Sequence, residues 1–200
     1  MRDFCCNDDV DFICAMNVFD FDGTIYDGDS SIDFWLFSLQ RRPSLMRYFP
    51  GQISGAFLYK IGKITKEEFK SRFFSFIAGI SDADLLVRIF WDKNERKVKG
   101  WYKKIRRNDD CIISASPHFL LSEICDRLAI RNLIATHVDM RTGRLLGKNC
   151  HGKQKREAFR ERFGNTEIGE FYSDSLSDKP MADLAKKAFF VTKEKIQEMV

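Results

Sequence analysis

The sequence predicts an α/β fold: a doubly wound, mostly parallel, Rossmann-like sheet with an inserted helical-bundle cap. Three observations favour this fold. A short apolar stretch at residues 17–22 ends in acidic residues, a long stretch with helical signals follows it, and from Cys111 onward apolar strands alternate with helices. Strands that are separated by helices are typical of parallel sheets, because each crossover carries the chain back along one face.

The chain is long enough for one core and a small inserted unit, since it has 200 residues of which 44% are hydrophobic. We divide it into a catalytic core of residues 16–29 and 106–200, a helical cap of residues 30–105, and an N-terminal extension of residues 1–15.

Helix-start signals recur through the predicted cap. Ser30 or Ser31 can cap a helix that ends before Pro43. Thr65 and Glu68 have the spacing of a capping box, and Ser81 gives a similar signal with Asp84 in place of the usual glutamate.

Residues 93–107 hold eight Lys or Arg and one Glu, with Trp101 and Tyr102 between them. A nucleic-acid patch can have this composition. The spacing of Val98, Trp101, Tyr102 and Ile105, however, predicts a helix with one apolar face and a solvated basic back. The net charge of +4 is mild, so no nucleic-acid partner is expected.

Strand and helix signals alternate after Cys111. The predicted order is a strand at 111–114, a helix begun by Ser116 and Pro117, a strand at 132–138, a turn around Gly143, a helix at 152–163, a strand at 168–174, a helix at 181–187, a strand at 188–191 and a helix from Thr192.

The sequence also bears on compartment and partners. The six cysteines lack Cys-x-x-Cys spacing, which favours reduced thiols. No segment reaches the roughly 18–20 apolar residues that a membrane span requires. We therefore expect a cytoplasmic monomer or homodimer, for which membrane contact is a secondary alternative.

Polar residues follow the predicted strands where parallel strands present their carboxyl ends. Asp20 and Asp22 end the first strand, Ser114 ends the second, and Asp174 and Asp178 follow a later one. Paired carboxylates at a strand tip are costly unless something compensates them. The pattern predicts a joint site for a metal ion and a phosphate.

Four motifs in this order, DFDGT at 20–24, IISAS, CHGKQK and YSDSLSD, resemble those of the haloacid dehalogenase superfamily, the aspartate-nucleophile phosphohydrolases. The helical insert is similar to the cap of the branch that contains phosphoserine phosphatase. The resemblance implies a magnesium-dependent phosphomonoester hydrolase that acts on a small phosphorylated metabolite through an aspartyl-phosphate intermediate.

The resemblance also implies residue roles. Asp20 is the nucleophile, Asp22 the acid and base, and Ser114 a phosphate ligand. The motif lysine is Lys155 by the pattern Gly-x-x-Lys, whereas Lys153 follows the glycine directly. The implied metal site comprises Asp20, Asp22 through its backbone carbonyl, Asp174 and Asp178, the last of which orients the lysine or a metal-bound water. Further substrate-binding candidates are Thr24, Asp29, Ala115 and Lys153.

The identity of the phosphate ester stays open. The chain departs from phosphoserine phosphatases at Gly23 and Asp29. It shares Asp29, Cys-x-Gly-x-x-Lys and YSDSxxDxP with bacterial phosphatidylglycerophosphatases of the same superfamily, which makes a lipid phosphatase one alternative. A phosphotransferase on the same scaffold is another. A binding module that has lost catalysis is disfavoured, because no motif residue is missing.

Overall fold

A six-stranded sheet forms the centre of the computed structural model, which describes residues 15–199. Of the predicted extension, residues 1–14 lie outside this range. The strands are β1 (Met16–Phe19), β2 (Cys111–Pro117), β3 (Asn132–Thr136), β4 (Ile168–Ser173), β5 (Ala185–Thr192) and β6 (Lys195–Glu198). Their order across the sheet is β3-β2-β1-β4-β5-β6, and all pairs are parallel except β5 with β6. The predicted α/β class and mostly parallel sheet are confirmed.

Five helices lie between β1 and β2 in the chain, and three follow β2. The first group is α1 (Ser30–Arg41), α2 (Phe49–Lys60), α3 (Lys66–Phe74), α4 (Ala83–Asn94) and α5 (Gly100–Ile105). The second group is α6 (His118–Arg127), α7 (Lys153–Phe163) and α8 (Lys179–Ala182). None of these helices is both long and apolar enough to cross a bilayer.

The sheet is covered on both faces because successive strand residues point in opposite directions. Phe19 belongs to a buried cluster with Leu121 of α6, whereas the preceding Val18 packs in a second cluster with Phe159 of α7 and Met181 of α8. This two-sided burial makes the sheet doubly wound, as the sequence predicted.

The helical segment 30–105 shares its apolar core with one face of the sheet. Phe34 and Phe90 make an edge-to-face contact at 5.5 Å between ring centroids. Trp91 is fully buried, packs edge-on against Phe21 at 6.0 Å, and donates a hydrogen bond from Nε1 to the Leu120 carbonyl at 2.7 Å. These contacts fix the segment over the ends of the central strands.

Within the helical segment, two predicted helix starts are wrong and one is confirmed. Asp29 caps α1 by accepting a hydrogen bond from the Ile32 amide at 3.0 Å, whereas we expected Ser30 or Ser31 as the cap. Ser81 does not cap α4, because its hydroxyl donates instead to Asp82, which is bound by Arg42. The Thr65 capping box is present with both of its hydrogen bonds.

Ser116 is not a helix cap either, since β2 continues through Pro117 and α6 begins at His118 without a side-chain cap. The Ser116 hydroxyl donates instead to the Asp22 carboxylate.

The basic run 93–107 is not one helix. It comprises the end of α4, a 3-10 turn at Glu95–Lys97, an extended Val98 that pairs with Tyr26, and the short α5. The expected apolar face is incomplete because Ile105 is exposed. Lys97 pairs with Asp33 at 2.7 Å, and Lys99 donates to the Gly23 carbonyl. Part of the basic run thus ties the helical segment to the loop after β1.

The C-terminal predictions are the largest error. The helix expected at 181–187 is only the single turn α8, because Ala185 and Lys187 already pair with β4. The helix expected from Thr192 is strand β6, whose Lys195 pairs with Thr192 in a tight hairpin. Pairing with β5 overrides the weak helical propensity of this short segment.

Candidate active site

The loop after β1 turns sharply enough to leave both of its carboxylates near the strand end. The Asp20 amide still pairs with the Tyr172 carbonyl at 2.8 Å, and the chain then leaves the sheet. Gly23 has φ +74°, a left-handed conformation that favours glycine. A Cβ atom at this position would lie 2.0 Å from Asp174 Oδ2. The loop therefore also needs glycine so that the Asp174 side chain can lie close to it.

Lys155 links the first and fourth motifs. Its Nζ lies 2.6 Å from Asp20 Oδ1 and 2.6 Å from Asp178 Oδ2, and all three side chains are buried. Although burial opposes its charge, the two carboxylates raise the pKa of Lys155 above its usual range. Lys153, on the same helical turn, is exposed. Of the two lysines, the structure therefore brings Lys155 to the strand ends.

Asp22 is held by a network of serines. Its Oδ1 accepts a hydrogen bond from the Ser30 amide at 2.6 Å, and its Oδ2 accepts one from Ser116 Oγ at 2.5 Å. Ser116 in turn lies 2.8 Å from Ser31 Oγ, and its amide donates to Ser114 Oγ at 3.0 Å. Both oxygens of the Asp22 carboxylate are thereby oriented, and Ser114 is joined to the same network.

The two carboxylates of the first motif hold their protons more firmly than ordinary aspartates. Burial raises the pKa of Asp22 to about 6, and the nearby charge of Asp29 adds to this. Burial also raises the pKa of Asp20, an effect that the charge of Lys155 opposes and that of Asp178 reinforces. A carboxyl group with a pKa near neutrality can both donate and accept a proton.

Asp174 and Asp178 occupy different positions at the end of β4. The Asp174 amide donates to Thr24 Oγ1 at 2.9 Å, so Thr24 joins the loop after β1 to the loop after β4. Asp174 lines a separate surface cavity together with Gly23 and Lys99. Asp178 is buried; its Oδ2 accepts hydrogen bonds from Lys155 and from Ser173, whereas its Oδ1 has no partner.

A cavity of about 290 Å³ opens beside these groups. One wall is polar and carries Asp20, Asp22, Asp29, Ser114, Ala115 and Lys155. The opposite wall comes from the helical segment and is mainly apolar, with Ile32, Phe69, Phe73 and Phe74. Thr24, Lys153 and Asp174, which the sequence placed in the site, do not line this cavity.

Lys70 is a cavity residue that sequence reasoning missed. It projects from α3, and its Nζ donates to the Ala115 carbonyl at 2.7 Å and to Asn149 Oδ1 at 2.8 Å. Burial lowers its pKa to about 8, and the charge of Lys66 adds to this. No motif marks it, because its partners are distant in sequence. Ser116 was also missed, since we interpreted it as a helix cap.

The donor set fits a divalent cation that prefers oxygen. Asp20, the Asp22 carbonyl and Asp174 supply oxygen atoms only, which suits Mg²⁺. Burial raises the pKa of Asp174 as it does those of Asp20 and Asp22, and the buried Asp178 Oδ1 lacks a partner. Within residues 15–199 no three His, Cys, Asp or Glu side chains cluster as a metal site. The implied site comprises the carboxylates of Asp20, Asp174 and Asp178 and the Asp22 carbonyl; Asp178 is paired with Lys155, which leaves two carboxylates and the carbonyl as the donors.

Solved structures share this architecture. A protein of unknown function from Bordetella pertussis Tohama I is 21% identical, with a TM-score of 0.70 over 86% of this chain and 87% of that one. A HAD family hydrolase from Salmonella enterica serovar Typhi is 13% identical, with a TM-score of 0.56 over 85% of this chain and 60% of that one. A phosphoserine phosphohydrolase-like protein from Francisella tularensis is 19% identical, with a TM-score of 0.53 over 87% of this chain and 85% of that one. At these identities the likeness shows the fold.

A search of curated proteins gave no match. The model of one family, described as haloacid dehalogenase-like hydrolase, matches residues 18–183, which include all four motifs and the helical segment. The chain therefore belongs to the haloacid dehalogenase-like hydrolases.

Proposed function

We propose that the protein is a magnesium-dependent phosphomonoester hydrolase that acts through an aspartyl-phosphate on Asp20. The observation that carries this proposal is the pairing of Asp20 with Lys155 at 2.6 Å, on the wall of a cavity that also presents Ser114. A phosphomonoester resists attack because it is anionic, so its site must supply a nucleophile, positive charge and an acid.

In the first step, an Asp20 carboxylate oxygen attacks phosphorus and the bond to the leaving oxygen breaks. Asp22 donates its proton to that oxygen, which leaves as an alcohol. In the second step, the Asp22 carboxylate takes a proton from a water molecule whose oxygen attacks the phosphorus. The Asp20 carboxylate is released, phosphate leaves, and Asp22 is protonated again.

Two side chains, one charged and one a hydroxyl, orient and neutralise the phosphoryl group. Lys155 offers its ammonium between the nucleophile and Asp178, and Ser114 offers a hydroxyl from β2, at the last residue before the pairing with β3 becomes irregular. Ala115 follows at the same edge and lines the cavity. Charged donors that are fixed before the reaction cost little reorganisation, which is why they favour the transition state.

Mg²⁺ would be held by the Asp20 carboxylate, the Asp22 carbonyl and Asp174, with Asp178 holding Lys155. When bound, it supplies positive charge to the phosphoryl oxygens.

The helical segment 30–105 serves as the cap in this proposal and selects the leaving group. Asp29 lines the cavity and lies at the N-terminus of α1. We propose a small phosphorylated metabolite as the substrate, with Asp29 shaping its leaving-group pocket. A lipid phosphatase is the second candidate, because four apolar residues of the helical segment line the same cavity.

Turnover of p-nitrophenyl phosphate with Mg²⁺ tests this proposal. Asp20→Asn should lower kcat by more than about 10³-fold, whereas Asp126→Asn, an exposed aspartate on α6, should retain full activity. Equal activity of Asp20→Asn and the wild type would refute the nucleophile assignment.

Product analysis separates hydrolysis from phosphoryl transfer. With added glycerol, a hydrolase gives mainly inorganic phosphate, while a phosphotransferase gives glycerol phosphate. A hydroxylamine-sensitive phosphoenzyme that is present in the wild type and missing in Asp20→Asn would support the intermediate.

A further inference from the structure

Helix α2 presents its large apolar side chains outward. Phe49, Ile53 and Phe57 occur at four-residue intervals, and Ile53 and Phe57 are 56% and 61% exposed. Its buried residues are Gln52 and Gly55. A helix that only packs on its own protein normally buries its apolar face. In α2 the usual arrangement is reversed: a glutamine and a glycine face the protein, and a stripe of aromatic and aliphatic side chains faces outward.

The inward face of α2 is firmly attached, so the outward stripe is not a sign of loose packing. Gln52 Nε2 donates to the Phe73 carbonyl at 2.8 Å, and a Cβ atom at Gly55 would lie 2.9 Å from the side chain of Arg72. Because α3 occupies that side closely, the exposed stripe is a fixed feature of the surface.

The chain segment that contains α2 carries charge of one sign, and the nearest acidic residues along the chain are Asp33 before it and Glu67 and Glu68 in the first turn of α3. No acidic residue occurs between Asp33 and Glu67. The basic residues in that interval are Arg41, Arg42, Arg47, Lys60, Lys63 and Lys66. Arg42 is paired with Asp82, and the charge of Lys66 interacts with those of Glu67 and Asp178, which leaves Arg41, Arg47, Lys60 and Lys63 to oppose an anionic partner. Exposed apolar side chains that are accompanied by basic residues match the chemistry of a bilayer surface with anionic headgroups.

Aromatic contacts connect α2 to the wall of the catalytic cavity. Phe49 stacks on Trp35 at 5.9 Å between centroids, and Trp35 contacts Phe73 at 5.9 Å. Tyr59 stacks on Phe69 at 5.3 Å. Phe69 and Phe73 both line the cavity, so a surface bound to α2 lies next to its apolar wall.

We infer that α2 docks the protein on an anionic lipid surface and thereby brings the cavity to phosphomonoester headgroups in that surface. The docking stands independently of catalysis, whereas the lipid substrate rests on the second candidate of the proposed function, a lipid phosphatase, and replaces the small metabolite as leaving group.

Cosedimentation with vesicles tests the docking. The full chain is mixed with vesicles of phosphatidylglycerol and phosphatidylcholine in equal parts, or of phosphatidylcholine alone. Binding is expected to the anionic vesicles and to fall at least about tenfold in the double variant Ile53→Ser with Phe57→Ser. The matched control, Leu85→Ser with Leu146→Ser, changes two similarly exposed apolar residues elsewhere and should bind as the wild type does.

A double variant with reversed charges tests whether basic residues contribute to the docking. Lys60→Glu with Lys63→Glu should weaken binding several-fold, while Lys103→Glu with Lys104→Glu on α5 should not. No binding to anionic vesicles, or equal loss in test and control pairs, would overturn the docking proposal. A dimer in sedimentation velocity that the Ile53/Phe57 pair dissociates, without vesicle binding, would assign the face to a second copy and also overturn it.

Two substrates separate docking from catalysis. Hydrolysis of phosphatidic acid within anionic vesicles should fall about tenfold in the Ile53/Phe57 pair, with p-nitrophenyl phosphate turnover unchanged. Absence of turnover of both substrates by the wild type, with vesicle binding intact, would refute the proposed function and leave the docking in place. Turnover of p-nitrophenyl phosphate without that of vesicle-bound phosphatidic acid would overturn the lipid substrate alone.

Discussion

Two lysines, Lys155 buried and Lys70 partly buried, reach the same cavity from different regions of the molecule, and their surroundings differ. Lys155, from the sheet region, lies between two carboxylates that raise its pKa. Lys70, from the helical segment, contacts only two neutral oxygens, and burial lowers its pKa to about 8. The first charge is compensated inside the protein. The second has no carboxylate in direct contact and is opposed only at a distance by Asp29 and Asp22, so an anion that enters the cavity adds the direct partner that Lys70 lacks.

The largest expected effect comes from removing the compensated charge. Lys155→Met leaves Asp20 and Asp178 buried without a cation, so it should lower the free energy of unfolding by about 3–5 kcal/mol. The kcat for p-nitrophenyl phosphate should fall more than about 10³-fold, because the nucleophile loses its partner.

Urea unfolding and steady-state turnover measure these two effects, with the exposed Lys187→Met as the control. Lys153→Met discriminates between the two lysines of the third motif. A greater loss of kcat in Lys153→Met than in Lys155→Met would reverse the assignment.

A smaller effect is expected from the uncompensated lysine. Lys70→Met should raise KM by roughly tenfold and change kcat much less, because Lys70 contacts the ligand side of the cavity and not Asp20. The wild-type KM should rise as the pH passes about 8, where the Lys70 ammonium loses its proton. Lys70→Arg should remove this rise because a guanidinium stays charged.

Steady-state kinetics between neutral and alkaline pH measure this profile, with Lys103→Met as the control. A rise in KM that persists unchanged in Lys70→Arg would show that another group titrates.

The smallest expected effect is on the way in which folding stability changes with pH. The pKa of Lys70 is about 8 in the folded protein against 10.5 for a free lysine, so the unfolded chain binds the extra proton between these values. Folding stability assigned to Lys70 should therefore rise with pH across that window. Lys70→Met should be more stable than the wild type at neutral pH by about 1–2 kcal/mol, since Lys70 keeps some solvent contact.

Thermal or urea unfolding of both proteins at several pH values measures the difference. The advantage of Lys70→Met should shrink toward pH 10.5. An advantage that is constant with pH would indicate altered packing and not titration.

The two lysines also show what the sequence can and cannot predict. Lys155 could be predicted because the pattern Gly-x-x-Lys of the family that the chain resembles selects it, in the first turn of a helix after β3 that approaches the end of β1. Lys70 could not, since its partners lie 45 and 79 residues away and depend on how the helical segment packs. Local hydrogen bonds were equally ambiguous: Asp29, Ser30 and Ser31 all suit a helix start, and only the structure shows that the Ser30 amide is taken by Asp22.

Long-range pairing limited the prediction of the fold in the same way. The alternation after Cys111 predicted a parallel sheet, because the periodicity of each strand is local. The identity of Lys195–Glu198 as a strand depends on β5, which no pattern within those residues reveals.

The final hairpin changes what the molecule offers to its neighbours. Without β6, the eight-residue β5, with its Phe189 and Phe190, would present unpaired amides and carbonyls along its outer side. Such edges recruit strands from other molecules and lead to aggregation. β6 is only four residues long and exposed, begins with Lys195 and ends with Glu198, so the outer edge that it gives the sheet is shorter and more charged than that of β5. On this physical ground we expect the hairpin to oppose self-association of the protein through this edge of its sheet.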